Sequence, residues 1–326
     1  MHGLDDEQHQ QRKAMFLEML GDESTRPLAE AIGVDLRQRA ERWVGSEVRL
    51  FDELVEVYGA AVQAWAGIHA DAGAIRRQSR RLAAIVDGFG GAGAAYPRAW
   101  RARLVANRWA RSLVEEVRAG RCTTTPGSPL QALATGPGRD LSSRVAGVEL
   151  LNILRPTVAV AWPATFLARA LVEHPAWRPR LHDDPSGERR TAFGHEVRRT
   201  CPFVPALAGR ARARAEIDGT VLEPGDLLVL DVPGTHRDPR HWDAPDDFLP
   251  ERFAGVWPDP FAFVPQGGGD PATGHRCPGE PLTVAILDET AAVLADLGYR
   301  IVGSAGHDPQ RIPTLPGGGL VIRVDA

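Results

Sequence analysis

Cys277 stands in GHRCPGE, where a glycine-rich stretch gives way directly to a helical pattern. A thiol at that place meets exposed amides and the positive end of the helix dipole, which favour the thiolate. His275 and Arg276 add positive charge beside it. No second cysteine lies within motif range, so a structural zinc site is excluded. Two readings of Cys277 follow: a buried inert thiol, or a single thiolate facing apolar space that ligates a haem iron.

Arg155 is the second candidate. It interrupts ELLNILRPTVAVAW, the most apolar stretch of the chain, and Pro156 follows it. A buried guanidinium needs a partner. That partner is either an acid such as Glu149 or the carboxylate of a substrate held in a bidentate grip. Glu196 and Arg199 share one helical face at i and i+3, a spacing that by itself suits a local ion pair. Arg198 makes the partner ambiguous. Near the start, His9 and Lys13 at i and i+4 can point at one anion, and His2 precedes them.

The elements that position these residues are mostly helical up to about residue 200. Periodicity and caps predict helices over Asp5–Leu20, Leu28–Ala40, Glu47–Trp65, Asp71–Phe89 and Arg98–Ala119. Residues 121–139 read as a surface loop. Leu141–His174 reads as one central helix, kinked or locally opened at Pro156 and Pro163 because each lacks an amide donor. A short charged helix surrounds AFGHEVRRT. Beyond residue 201 come short strands in RAEIDGTVLEPGDLLVLDV, an irregular segment over Pro239–Pro260 and the loop bearing Cys277. A helix over Pro281–Leu297 and two terminal strands close the chain.

Composition excludes several classes. The 326 residues are 43% hydrophobic and 25% charged, ordinary for a globular protein. With 38 Lys plus Arg against 42 Asp plus Glu, the net charge of −4 argues against nucleic acid as a partner. The arginines of residues 98–118 are read as a solvated face. Three scattered cysteines fit a reducing, cytoplasmic setting and not a disulfide scaffold. The apolar run Val158–Leu171 holds Pro163 and Arg169 and is too short to span a bilayer.

Taken together the motifs resemble a cytochrome P450, and more narrowly the fatty-acid peroxygenase branch of that superfamily. FVPQGGGDPATGHRCPGE looks like that branch's long haem-thiolate loop, which implies Cys277 as the axial ligand of haem b. GHEVRRTCPFVP resembles the helix of the Glu-x-x-Arg pair, here Glu196 and Arg199, and HWDAPDDFLPERF resembles the segment whose arginine, Arg252, joins that pair. Arg155-Pro156 stands where ordinary P450 monooxygenases carry an acid-alcohol pair. WAG at 65–67 and AYPRAWRAR at 95–103 are similar to the branch as well. Cys201 departs from it, since an aromatic residue is usual there.

The resemblance implies a mainly α P450 fold with a small β part, shortened at its N-terminus. It implies one haem domain over residues 1–326, helix-rich over about 1–200 and built of strands, meander and haem loop over about 201–326. Lost N-terminal strands would leave Leu227–Asp231 without its usual sheet neighbours. The implied activity is hydroxylation of fatty acids at the alpha or beta carbon, driven by hydrogen peroxide, with the substrate carboxylate held by Arg155 and acting as acid-base. Decarboxylation to terminal alkenes is the alternative product, and His2 matches the alkene-forming pattern. His9, Lys13 and His275 are expected near the haem, and no redox partner protein is required. A conventional monooxygenase, or an inactive haem or fatty-acid binder, are the competing readings.

Overall fold

The computed structural model describes residues 6–91, 93, 95–201 and 203–325, so His2 lies outside the described residues. Five helices occupy the first third of the chain: α1 (Asp6–Met19), α2 (Asp22–Trp43), α3 (Leu50–Trp65), α4 (Ala72–Asp87) and α5 (Ala95–Arg118), with strand β1 (Glu47–Arg49) between α2 and α3. There follow α6 (Pro129–Ala134), α7 (Ser143–Ala159), α8 (Ala161–Glu173), α9 (Trp177–His182) and α10 (Glu188–Thr200). The remainder holds β2 (Ala206–Arg210), β3 (Ala215–Ile217), β4 (Thr220–Leu222), β5 (Leu227–Asp231), α11 (Val232–Thr235), α12 (Glu280–Asp296), β6 (Tyr299–Val302) and β7 (Val321–Val324).

The central apolar stretch is two helices. Pro156 and Pro163 cannot donate to the carbonyls of Asn152 and Ala159, so the ladder weakens on both sides of Val160, where α7 ends and α8 begins. Both halves are core: Leu150, Leu154, Val158, Trp162 and Phe166 are fully buried. Among the described residues, Ser143–Glu173 is the one segment long and apolar enough to cross a membrane, and most of it is buried inside the protein.

Around this axis pack α3, α4, α5, α10 and α12. The face of α5 turned to α7 carries Ala102, Ala106, Ala110 and Val114 at spacings of three and four. The helices meet so closely that a Cβ on Gly147 would lie 2.7 Å from the Arg111 amide nitrogen. Three of the six arginines of α5 bond to protein: Arg98 pairs with Asp87, Arg111 with Glu115, and Arg118 donates to the carbonyls of Ala134, Leu133, Gly138 and Arg139, while Arg101, Arg103 and Arg108 are exposed.

Three expectations change. Residues 47–49 are not helical; they pair with β7, which also pairs with β6, in a three-stranded antiparallel sheet of order β1-β7-β6. Alternation in a strand of three residues is too short to register against the helical periodicity that follows. Residues 121–139 contain α6, whose Ser128 accepts from the Gln131 amide and whose first position is Pro129. The second helix starts six residues earlier than the periodicity indicates, at Asp22.

The strands of residues 206–231 form two antiparallel pairs. Asp218 and Gly219 both have positive φ, at 48° and 74°, which makes the two-residue hairpin between β3 and β4. β5 pairs with β2, and Leu227, Leu228, Val229 and Leu230 are all exposed on this two-stranded ribbon.

Candidate functional site

α10 carries its two arginines to different partners. Arg199 Nε and Nη2 each donate to Glu196 over 2.7 Å, a bidentate pair with no solvent exposure of either side chain. Its remaining donors reach the carbonyls of His236, Pro245 and Asp247. Glu196 also accepts from the Leu249 amide and lies 3.4 Å from Arg252 Nε. The pair therefore nails the irregular segment 236–252 to the helix. Arg198 bonds instead to Glu280 and, over 2.8 Å, to Gln266.

That second network frames Cys277. Glu280 takes Arg198 from one side and Arg276 from the other, with Arg276 Nε 2.6 Å away. The Cys277 amide donates to the Gln266 carbonyl, stapling the loop to the turn at Pro265–Gly267. Gly267 has φ +96°, and a Cβ there would lie 3.1 Å from Arg276 Cα, so this turn admits no side chain without strain. The charge of Arg276 is thus answered by Glu280, and burial pushes the Cys277 thiol up even though the Gly279 amide and Lys13 oppose it. The electropositive helix start does not win here. A coordinating metal ion would offset this burial cost, since it deprotonates a bound thiol.

Cys277 opens into a cavity of about 880 Å³. From α1, His9 and Lys13 line it; His9 stacks on His275 with ring centroids 4.2 Å apart. Lys13 is buried and donates to the Arg276 carbonyl over 2.5 Å, and burial lowers its pKa. From α7 and α8 come Arg155, Pro156, Thr157 and Pro163. The Thr157 hydroxyl is turned back onto the Ile153 carbonyl. Phe89, Phe203 and Leu207 add apolar wall. Among the described residues, no Asp or Glu lines the cavity, whereas Lys13, Arg155, Arg198, Arg199 and Arg237 do.

Arg155 has one hydrogen bond, from Nη2 to Asn152 Oδ1 over 3.1 Å, and its guanidinium sits 5.7 Å from the Phe89 ring centroid. Burial, with the nearby charge of Arg103, lowers its pKa to about 10. Glu149, the acid suggested by sequence, faces Arg12 instead and reaches Arg155 only through Asn152. Cys201 also lines the cavity, and burial raises its thiol to about 11.

The structure thus gathers Cys277, His275, His9, Lys13, Arg155 and Pro156 on one wall system, with Glu196 behind it. Sequence reasoning missed Arg198, Gln266 and Glu280 under the cysteine loop, and Arg12 and Asn152 behind Arg155. The signals were present as the i, i+4 spacing of Arg276 and Glu280 and the i, i+3, i+6 row of Glu149, Asn152 and Arg155.

The comparisons agree with this geometry. The cytochrome P450 family model matches residues 191–287, the span from α10 to the start of α12. Ligand-free cytochrome P450 OleT superposes with a TM-score of 0.92 at 31% identity, covering 99% of this chain and 78% of that one. Cytochrome P450SP alpha in complex with (R)-ibuprophen superposes at 0.90 and 36% identity, covering 98% and 80%. The chain belongs to the cytochrome P450 superfamily, in its fatty-acid peroxygenase branch. Curated relatives are matched over less of their length: cytochrome P450 81Q32 of Catharanthus roseus is 30% identical over 196 residues, 55% of this chain and 38% of that protein. The putative cytochrome P450 137 of Mycobacterium tuberculosis is 34% identical over 155 residues, 31% of its own length.

The residues present suit a haem. A cysteine set on a loop that admits no side chain at Gly267 faces a cavity whose wall carries cations and imidazoles and, among the described residues, no carboxylate, matching an iron ligand and anionic propionates.

Proposed function

We propose that the protein is a haem-thiolate peroxygenase that uses hydrogen peroxide to hydroxylate fatty acids at the alpha or beta carbon, or to decarboxylate them to terminal alkenes. Residues 1–326 act as one haem domain in this reading. The observation that carries it is the cavity wall without a carboxyl group, on which Arg155 is a cation lacking a carboxylate partner among the described residues.

Cys277 would ligate the iron, and His9, Lys13 and His275 would face the propionates. Bound there, haem b supplies the oxidising power for peroxide chemistry, with the thiolate favouring O–O cleavage. Arg155 binds the fatty-acid carboxylate and orients the adjacent carbons; desolvation makes an incoming carboxylate the natural complement of this guanidinium. Thr157, bonded to backbone, offers no relay to the cavity. The substrate carboxylate then serves as the acid-base group that moves the peroxide proton. Phe89, Phe203 and Leu207 exclude water and pack the chain. One neighbour, an OleT variant, has been solved in complex with arachidonic acid, which supports an acid as the ligand class. The free cysteines support a cytoplasmic setting, and the supply of both electrons and oxygen by peroxide removes the need for a redox partner.

The test is haem-loaded protein given hexadecanoic acid and peroxide, with products resolved as hydroxy acids and alkenes by mass spectrometry. Turnover that needs NADPH with ferredoxin, and none from peroxide, would overturn the reading. Arg155→Ala should keep the carbon-monoxide spectrum of the reduced protein and lose product.

A further inference from the structure

A row of three side chains stands behind Arg155 on α7. Arg155 Nη2 donates to Asn152 Oδ1, and Asn152 Nδ2 donates over 2.8 Å to Glu149 Oε2. The other oxygen of Glu149 lies 3.6 Å from Nε of Arg12, on α1. Glu149 is buried and the Arg12 side chain is mostly so.

This order of donors and acceptors has one self-consistent orientation. With its amide nitrogen on the Glu149 carboxylate, Asn152 must turn its oxygen to the guanidinium. Rotating the amide by half a turn would set oxygen against carboxylate and NH₂ against guanidinium. Glu149 thereby fixes Asn152, and Asn152 holds Arg155 without neutralising it. A carboxylate at 152 would occupy the guanidinium; an amide leaves its charge for the cavity.

The next residue of α1 performs a matching task. Lys13 donates to the carbonyl of Arg276, the neighbour of Cys277. Adjacent residues of one helix therefore touch the cysteine loop and the row behind Arg155.

We infer that Asn152 is a positioning residue for the carboxylate-binding Arg155, oriented by Glu149, and that Arg12 of α1 acts on substrate binding through this row. The inference rests on the proposed role of Arg155.

The experiment measures equilibrium binding of hexadecanoic acid and of hexadecan-1-ol to the haem-loaded protein by calorimetry. Wild type should prefer the acid, and Arg155→Ala should abolish the preference; equal binding by wild type would overturn the role of Arg155 itself. Given that preference, Asn152→Ala should weaken the acid about tenfold and leave the alcohol unchanged, the size expected of one hydrogen bond to a charged group. Asn152→Asp should weaken the acid further than alanine does, because the new carboxylate competes for Arg155. Arg12→Ala should weaken the acid and add nothing in the Asn152→Ala background. Where Arg12→Ala fails to fold, Arg12→Lys is measured in both backgrounds in its place. An acid-to-alcohol ratio unmoved by Asn152→Ala, or equal effects of Arg12 with and without Asn152, would overturn the inference while leaving Arg155 in its role.

Discussion

Two arginines line the same cavity and differ in how their donors are used. Arg199 makes five hydrogen bonds, two to Glu196 and three to backbone carbonyls. Arg155 makes one, to a neutral amide. The first is saturated by protein and belongs to the framework that holds the 236–252 segment. The second has most of its donors unbonded among the described residues and turned to the cavity wall. The two also differ in burial: Arg199 is enclosed by protein, whereas Arg155 is half-buried on the cavity wall.

The largest expected effect breaks the framework side. Arg199→Ala leaves the buried Glu196 carboxylate with the Leu249 amide and the 3.4 Å contact of Arg252, and should cost about 3–5 kcal/mol in chemical denaturation. Arg155→Ala removes a cation with no counter-ion among the described residues and should change unfolding free energy by no more than about 1 kcal/mol. Equal destabilisation by the two would erase the distinction.

Acid sharpens the same side. His236 accepts from the Val264 amide through Nε2 and faces the Arg199 carbonyl through Nδ1, and burial lowers its pKa to about 4. The folded state then binds fewer protons than the unfolded one, so stability falls as pH drops from about 6.5 through 4, by up to roughly 3 kcal/mol. His195, lowered to about 3 by burial, acts in the same sense. Asp288 opposes them: burial raises it to about 7, so its contribution is lost as pH rises from 3.8 through 7. Wild type should therefore show a shallow acid limb in thermal melts, and Asp288→Asn a steeper one.

On the binding side, Arg155→Ala should weaken fatty-acid affinity roughly 30-fold or more, read by calorimetry. The smallest effect lies remote from both arginines. Asp71 caps α4 by accepting from the Ala74 amide, and Asp71→Ala should cost about 1 kcal/mol of stability with ligand affinity unchanged.

How much of this could be read from the chain depends on the range of the interaction. Cys277 and Arg155 were legible because each violates its surroundings: a lone thiol at a helix start, a cation in an apolar helix. The helices with long apolar stripes, such as α3 and α4, were legible for the same local reason. The β1 strand was not, because its partner Val321–Val324 lies at the other end of the chain. Nor was the second cation on Glu280: the i, i+4 spacing suggests Arg276, but Arg198 comes from α10. Glu149, offered by the sequence as a partner for Arg155, does not pair with it; periodicity cannot show that Asn152 stands between them or that Arg12 lies beyond.

The crossing of α5 over α7 sets a dimension that no polar residue controls. Gly147 is two turns ahead of Arg155 on α7, roughly 12 Å along the axis. A methyl group at 147 would push α5 and α7 apart, and the displacement would pass along α7 toward Arg155. The seat of the guanidinium thus depends on a missing side chain, at a position that lines no part of the cavity.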